Sequence, residues 1–390
     1  MNTLSNAPDL FAKDGPLAEF LPGEPPAEDH DLPVQDAVWR SLRRLNVSQH
    51  LDGGWGSFVE TSSFWHTASG ALLLCAARRS PALAGEVDTT LMLRRACAYL
   101  DLHPADWSAD ALVAGDAGAA RTPRGAGLPS QEAAGNPAAL LAPHGALSIY
   151  NLSLMAHLFF HGGREFFRRE AGVRVYRSLE RLVHAQNEDG GWDACLWGYA
   201  VQTPTRVFSE AGATAAALRA LVEIHDERLL PAVHKAGQWL IAAQNIDGSW
   251  NNGACRPDMP SFTLTGDPRI TKTCDALRGL LASPECDLGS EPYRGALLRG
   301  LGWLLRRTRP VLEKHRNPAA WAWGYTAEDY ENITLVLEVL LALPNPPQAL
   351  LAQYAAWLLR GQHRLEGDID DGSWVLGHTA RIARALIPLL

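Results

Sequence analysis

Three copies of one short pattern constrain this chain more than any other feature: QHLDGGW (49–55), QNEDGGW (186–192) and QNIDGSW (244–250). Gln, Asp, Gly and Trp keep the same spacing in each. The interval before the second copy is more than twice the interval after it, room for one unmarked repeat and an insertion. A recurring unit of this size means a repeat architecture in which each unit buries its apolar face against its neighbours.

Each copy lies between two helical patterns. Upstream segments such as 164–186 and 227–244 carry apolar residues at three-to-four spacing with charge opposite, which suits outer helices with one wet face. Downstream segments 65–77, 212–224 and 271–282 are rich in small apolar residues and poor in charge, which suits helices buried on most sides. Segments 148–160 and 331–343 share this inner character without a clean motif ahead of them, and GHTARIARALIPLL closes the chain with a sixth. The prediction is an all-α fold, an α6/α6 toroid of six helical hairpins over residues 35–390. Its inner helices surround a central barrel, and their N-termini form one mouth, with Thr67, Thr214, Thr273, Thr334 and Thr379 near the start of five of them. The repeated motif reads as structural: Gln caps an outer helix, Asp-Gly makes a turn and Trp fills the gap between hairpins. Residues 1–34, Pro-rich and acidic, read as a poorly ordered arm, and about 104–145 as a mobile insertion at the mouth, a lid.

Composition narrows the function. A net charge of -8 with no Lys/Arg run excludes nucleic acid as a partner. The six cysteines lack Cys-x-x-Cys spacing, so reduced thiols in a cytoplasmic protein are expected. The N-terminus lacks the charged and apolar regions of a signal peptide, and no apolar run of membrane-spanning length occurs. Peripheral contact with a membrane stays open, as does the oligomeric state.

With these motifs the chain resembles the superfamily of terpenoid cyclases and protein prenyltransferase β subunits, and is closest to class II cyclases of the squalene-hopene type. The resemblance covers about 35–390 and implies an aromatic-lined cavity, a hydrophobic isoprenoid substrate and one of two chemistries. Class II cyclases protonate an alkene with the middle aspartate of DxDD. Prenyltransferases activate a thiolate on zinc held by Asp, Cys and His.

The literal DxDD match is Asp368-Ile369-Asp370-Asp371. In class II cyclases the motif runs straight into the inner helix, whereas here GSWVLGH stands between Asp371 and Thr379. Two registers follow. Either DGSW (371–374) is the sixth repeat's turn and the acids are a solvated turn, or QHRLEGDI (362–369) is the turn. The second is preferred; it leaves a mouth loop up to Thr379, with Asp370 and Asp371 facing the mouth and His378 at the inner-helix start. A rival cluster precedes the fifth inner helix, where Asp329-Tyr330-Glu331-Asn332 falls on the DxDD position and Glu331 stands for the protonating acid. Both clusters also suit helix N-caps, so both readings stand.

Protonating an alkene requires a carboxyl kept protonated in a dry cavity, with π faces to hold the carbocation. Trp65, Trp197, Trp321, Trp323 and Trp374, joined by Tyr325 and Phe208, are the candidate faces. Arg269 and Lys272, at an inner-helix start, are candidate diphosphate ligands. A zinc reading rests on Asp193-x-Cys195 with His378 or His66, short of the convergent set that zinc needs. No cofactor is therefore expected; Zn2+ is the less favoured metal and Mg2+ enters only with a diphosphate substrate. The expected activity is a class II-type terpenoid cyclase or isomerase acting on a linear isoprenoid. The alternatives are a zinc-dependent prenyl-transfer enzyme and a non-catalytic isoprenoid-binding barrel.

Overall fold

The computed structural model describes residues 9–22, 34–58, 61–83, 87–108, 146–193, 195–197, 209–251, 269–286, 288–289, 291–314, 327–365 and 372–390. Twelve α-helices among them alternate between an outer and an inner layer. The outer helices are α1 (Val34–Ser48), α3 (Thr89–Leu102), α5 (Arg169–His184), α7 (Leu230–Ala242), α9 (Tyr293–Lys314) and α11 (Gln348–Leu365). The inner helices are α2 (Phe64–Arg79), α4 (Ile149–Leu158), α6 (Ala211–Val222), α8 (Ile270–Ala282), α10 (Ala327–Leu341) and α12 (Gly372–Leu386). Each inner helix packs on the next, and α12 packs on α2, so the ring closes. This is the predicted toroid.

The two layers differ as their sequences require. Helix α5 buries Ala171, Val175, Leu179 and Leu182 and turns its charges outward. Helix α6 buries nearly its whole length in small residues, which lets inner helices approach closely. A Cβ on Gly279 of α8 would lie 2.9 Å from the Cβ of Ala215 in α6. No helix of the described residues is long and apolar enough to cross a membrane.

The repeated motif is a clamp with the same bonds in all three copies. The indole N–H of Trp55, Trp192 and Trp250 donates to the carbonyl of Leu45, Leu182 and Leu240 at 2.8–2.9 Å, closing the motif onto its own outer helix. The backbone N–H of the same tryptophans donates to Oγ1 of Thr67, Thr214 and Thr273 at 3.0–3.1 Å, tying the turn to the inner helix. Gln49, Gln186 and Gln244 donate to Met92, Ala232 and Ala296, carbonyls of the next outer helix, at 2.9 Å. Gly53, Gly190 and Gly248 hold φ of +92°, +94° and +97°, and a Cβ at each would collide with the carbonyl of Arg95, Lys235 or Arg299 in that same outer helix. Each tryptophan is fully buried. Removing roughly 200 Å2 of indole from water at about 25 cal/mol/Å2 contributes on the order of 5 kcal/mol before the entropy of ordering it.

Two features depart from expectation. Short antiparallel ladders stand at the mouth: β1 (Trp55–Phe58) with β2 (Thr61–Ser63), and β3 (Ala146–Ser148) with β4 (Cys195–Trp197), where Ser148 faces Cys195 and Ala146 faces Trp197. Trp197 therefore belongs to a strand rather than a free loop. Residues 9–22 of the predicted poorly ordered arm are packed: Leu10, Phe11, Leu17 and Phe20 are buried, and Arg309 of α9 donates to the carbonyl of Glu19. The apolar side chains spaced along this acidic stretch supply the contact. Most of the predicted insertion, 109–145, lies outside the described residues. Cys75, Cys97, Cys274 and Cys286 are buried and in no disulfide; burial raises the Cys75 thiol to about 11.

Candidate active site

The barrel is lined by charged residues on otherwise buried inner helices, three or seven positions apart where a helix carries more than one: Lys272, Asp275 and Arg278 on α8, Glu331 and Glu338 on α10, Arg381 and Arg384 on α12, Arg219 on α6. They form a charged column from the mouth to the opposite end.

At the mouth, Glu210, immediately before α6, pairs with Lys272 Nζ at 2.6 Å and accepts from the Tyr150 hydroxyl at 3.0 Å. Lys272 also donates to that hydroxyl at 2.6 Å. Gly212 leaves the space the Tyr150 hydroxyl occupies. Lys272, expected as a free cation for a diphosphate, is thus neutralised within the fold by an acid of the preceding inner helix. Arg269 is exposed just ahead of α8, where its backbone N–H donates to the Trp250 carbonyl.

Deeper in, Glu331 lies 3.6 Å from Arg381. Glu338 is the hub: it pairs with Arg278 at 2.8 Å, Arg384 at 2.6 Å and Arg381 at 3.2 Å. Burial alone would raise the Glu338 carboxyl, but the three guanidinium groups reverse this and hold it well below the usual range. Asp275 behaves in the opposite way. Its burial raises the carboxyl's pKa despite Lys272 and Arg278, so of these two lumen acids Asp275 is the one that favours the protonated form. Sequence reasoning missed Asp275, although its three-residue spacing from Lys272 and Arg278 in an apolar helix was the available signal.

At the far end of the lumen, Glu223 accepts from His157 Nδ1 at 2.9 Å and pairs with His161 Nε2 at 2.6 Å. The two imidazole contacts outweigh burial and lower Glu223 to about 2. Burial lowers His157 to about 3. These three side chains are the group among the described residues whose ligand atoms converge closely enough to hold a metal ion.

The sequence-predicted residues are distributed unevenly. Asp368, Asp370, Asp371, Phe208, Trp321, Trp323 and Tyr325 lie outside the described residues. The backbones of Trp374 and His378 belong to α12, which begins at Gly372. This corrects the predicted mouth loop up to Thr379: His378 lies inside α12 rather than at its start, because the helical backbone already begins at Gly372. Helices α10 and α12 begin one turn further ahead of Thr334 and Thr379 than α2, α6 and α8 begin ahead of their threonines. Asp329 sits in the first turn of α10, and Glu331 a little further along it. Trp65, in the first turn of α2, is 37% exposed and meets His66 edge-on at 5.2 Å. Of the suggested zinc ligands, His66 hydrogen-bonds Ser63 through Nδ1 at 2.6 Å, and Cys195 contributes a described backbone alone.

No family model and no curated protein matches the sequence. Among solved structures, the chain is similar to the type II terpene cyclase MstE from Scytonema, at 14% identity and a TM-score of 0.53 over 92% of this chain and 99% of that one. It is equally similar to the α-1,6-mannanase GH76A of a Salegentibacter species (10% identity, TM-score 0.55, 91% and 100% covered) and to the GH76 α-mannanase of Bacteroides thetaiotaomicron (10%, 0.54, 96% and 99%). At such identities the likeness shows the shared helical toroid and leaves the reaction to the site.

Proposed function

We propose that the protein is an acid-initiated terpenoid cyclase or isomerase of class II type that protonates an alkene of a linear isoprenoid at the mouth of a single toroid. The observation that supports this reading most is the start of α12 at Gly372. In the sequence, Asp368-Ile369-Asp370-Asp371 immediately precedes this inner helix, as DxDD motifs precede the inner helix in class II cyclases. Asp370, the middle acid, is the proton donor in this reading. Glu331 is the weaker choice, since its neighbour is the Arg381 guanidinium rather than a second carboxyl able to share a proton. A single toroid is sufficient for the chemistry in principle: the Scytonema cyclase is spanned over 99% of its length by this one fold.

A second reading, hydrolysis of a glycosidic bond, is favoured by one observation. Beyond Tyr150 at the mouth, the described lumen is lined with Asp275, Glu331, Glu338 and arginines, a surface suited to a hydroxyl-rich substrate. One experiment separates the readings. The protein is incubated in deuterated water with geranyl, farnesyl and geranylgeranyl diphosphates and squalene, and in parallel with α-1,6-linked mannooligosaccharides. Cyclic products carrying one deuterium and an intact diphosphate, abolished by Asp370→Asn, support the cyclase. Turnover of the oligosaccharides alone assigns the hydrolase, and no turnover on the isoprenoid panel sinks the first reading.

A further inference from the structure

At the end of the barrel opposite the mouth, the C-terminal turns of α6, α8, α10 and α12 surround a cavity of about 300 Å3. Three guanidinium groups line it, Arg219, Arg278 and Arg384, against the single carboxylate Glu338. Arg278 and Arg384 spend their contacts on Glu338, which Arg381 also engages. Arg219 makes no hydrogen bond or ion pair with any residue among those described, although it carries five N–H donors. Asp275 acts on Arg219 through space without a hydrogen bond or ion pair to it, and both oxygens of Glu223 are taken by His157 and His161. The partial negative charge of the helix ends favours a cation in the last turn, yet no backbone carbonyl accepts from the Arg219 side chain. Its guanidinium nitrogens therefore stay open to the cavity, and Glu338 and Asp275 act on them through space, without direct contact. Burial and then Arg278 lower the Arg219 guanidinium to about 9, against the opposing pull of Glu338 and Asp275.

We propose that this cavity is an anion site for a phosphate group, held by Arg219, Arg278 and Arg384. Planar guanidinium forks match the tetrahedral oxygens of phosphate, and a dianion restores the balance of three cations and one carboxylate. Leu281, Leu341 and Pro388 form an apolar part of the wall, where the organic portion of a phosphoester would rest. The inference stands apart from the cyclase reading, since its readout is binding rather than turnover.

The test is thermal unfolding and titration calorimetry of the full chain with inorganic phosphate, pyrophosphate, geranyl diphosphate and, as a carboxylate control, acetate. A ligand that binds the folded state alone raises Tm saturably. The expected result is a saturable rise with phosphate or pyrophosphate and none with acetate. Arg219→Met should abolish that rise. Arg219→Lys, which keeps the charge but loses the fork, should fold normally and bind at least about tenfold more weakly. Binding of inorganic phosphate identifies a free ion or phosphomonoester as the source; binding of geranyl diphosphate without inorganic phosphate identifies a diphosphate ester. The proposal is overturned if the wild-type Tm ignores every phosphate species, or if Arg219→Met leaves the phosphate response intact.

Discussion

The backbone N–H of Trp250 donates to Thr273 Oγ1 across 3.1 Å, and Thr273 is wholly buried at the start of an inner helix. One hydroxyl thereby fixes the angle at which a turn enters the barrel wall. Thr273→Val keeps the volume and removes the acceptor, leaving a buried N–H unpaired. The expected loss is about 1–3 kcal/mol, read from the urea midpoint. Thr273→Ser, which retains the hydroxyl, should lose less, and a loss equal to that of the valine variant would refute the hydrogen-bond account.

Gly190 allows a second test of the clamp. Its φ of +94° disfavours any side chain, and the Lys235 carbonyl occupies the space of a Cβ. Gly190→Ala should cost at least about 1–3 kcal/mol. Calorimetric Tm measures it, with alanine at the exposed Val47 as the neutral comparison.

Glu338 holds three arginines, so Glu338→Gln leaves them facing one another. Breaking a buried ion network from one side costs about 3–5 kcal/mol. The pH dependence follows from the sign of the shift. The folded carboxyl lies below its unfolded value of 4.5, so its contribution is complete above that pH and is lost as pH falls through the folded value. Stability curves of wild type and Glu338→Gln should therefore converge in acid.

His157 titrates in a higher window. Unfolded, it takes a proton near 6.5; folded, burial delays this to about 3. Between those values the unfolded chain holds the extra proton, so stability falls as pH falls, by up to about 1.4 kcal/mol per pH unit. His157→Gln should flatten the slope between pH 6.5 and 4.5 in urea titrations. Below 4.5, the depressed Glu223 adds a slope of the same sign.

Much of the fold was legible because the motif demands particular residues. Only glycine tolerates the φ at 53, 190 and 248, and only an indole reaches both the Leu carbonyl and the gap between layers. The five threonines marked inner helices correctly, and all are buried. The starts of α10 and α12 were not legible, since GSWVLG reads equally as turn or helix until its neighbours are packed. The site was less visible still. Asp275, Arg219, Glu338 and Arg381 are single charges dispersed in apolar segments, and only the closing of the ring brings them within reach of one another. The N-terminal strap was hidden by acidic composition around its four buried apolar residues.

The contact between α2 and α12 gives the assembly no free end. Open stacks of repeats need special units at their termini and can fray from either one. Here every hairpin has two neighbours, and the first outer helix also packs on the last inner one. Removing any one wedge opens the hoop on both sides, so unfolding is expected as one sharp transition. For the same reason, new termini cut into an outward loop should leave a chain that still folds.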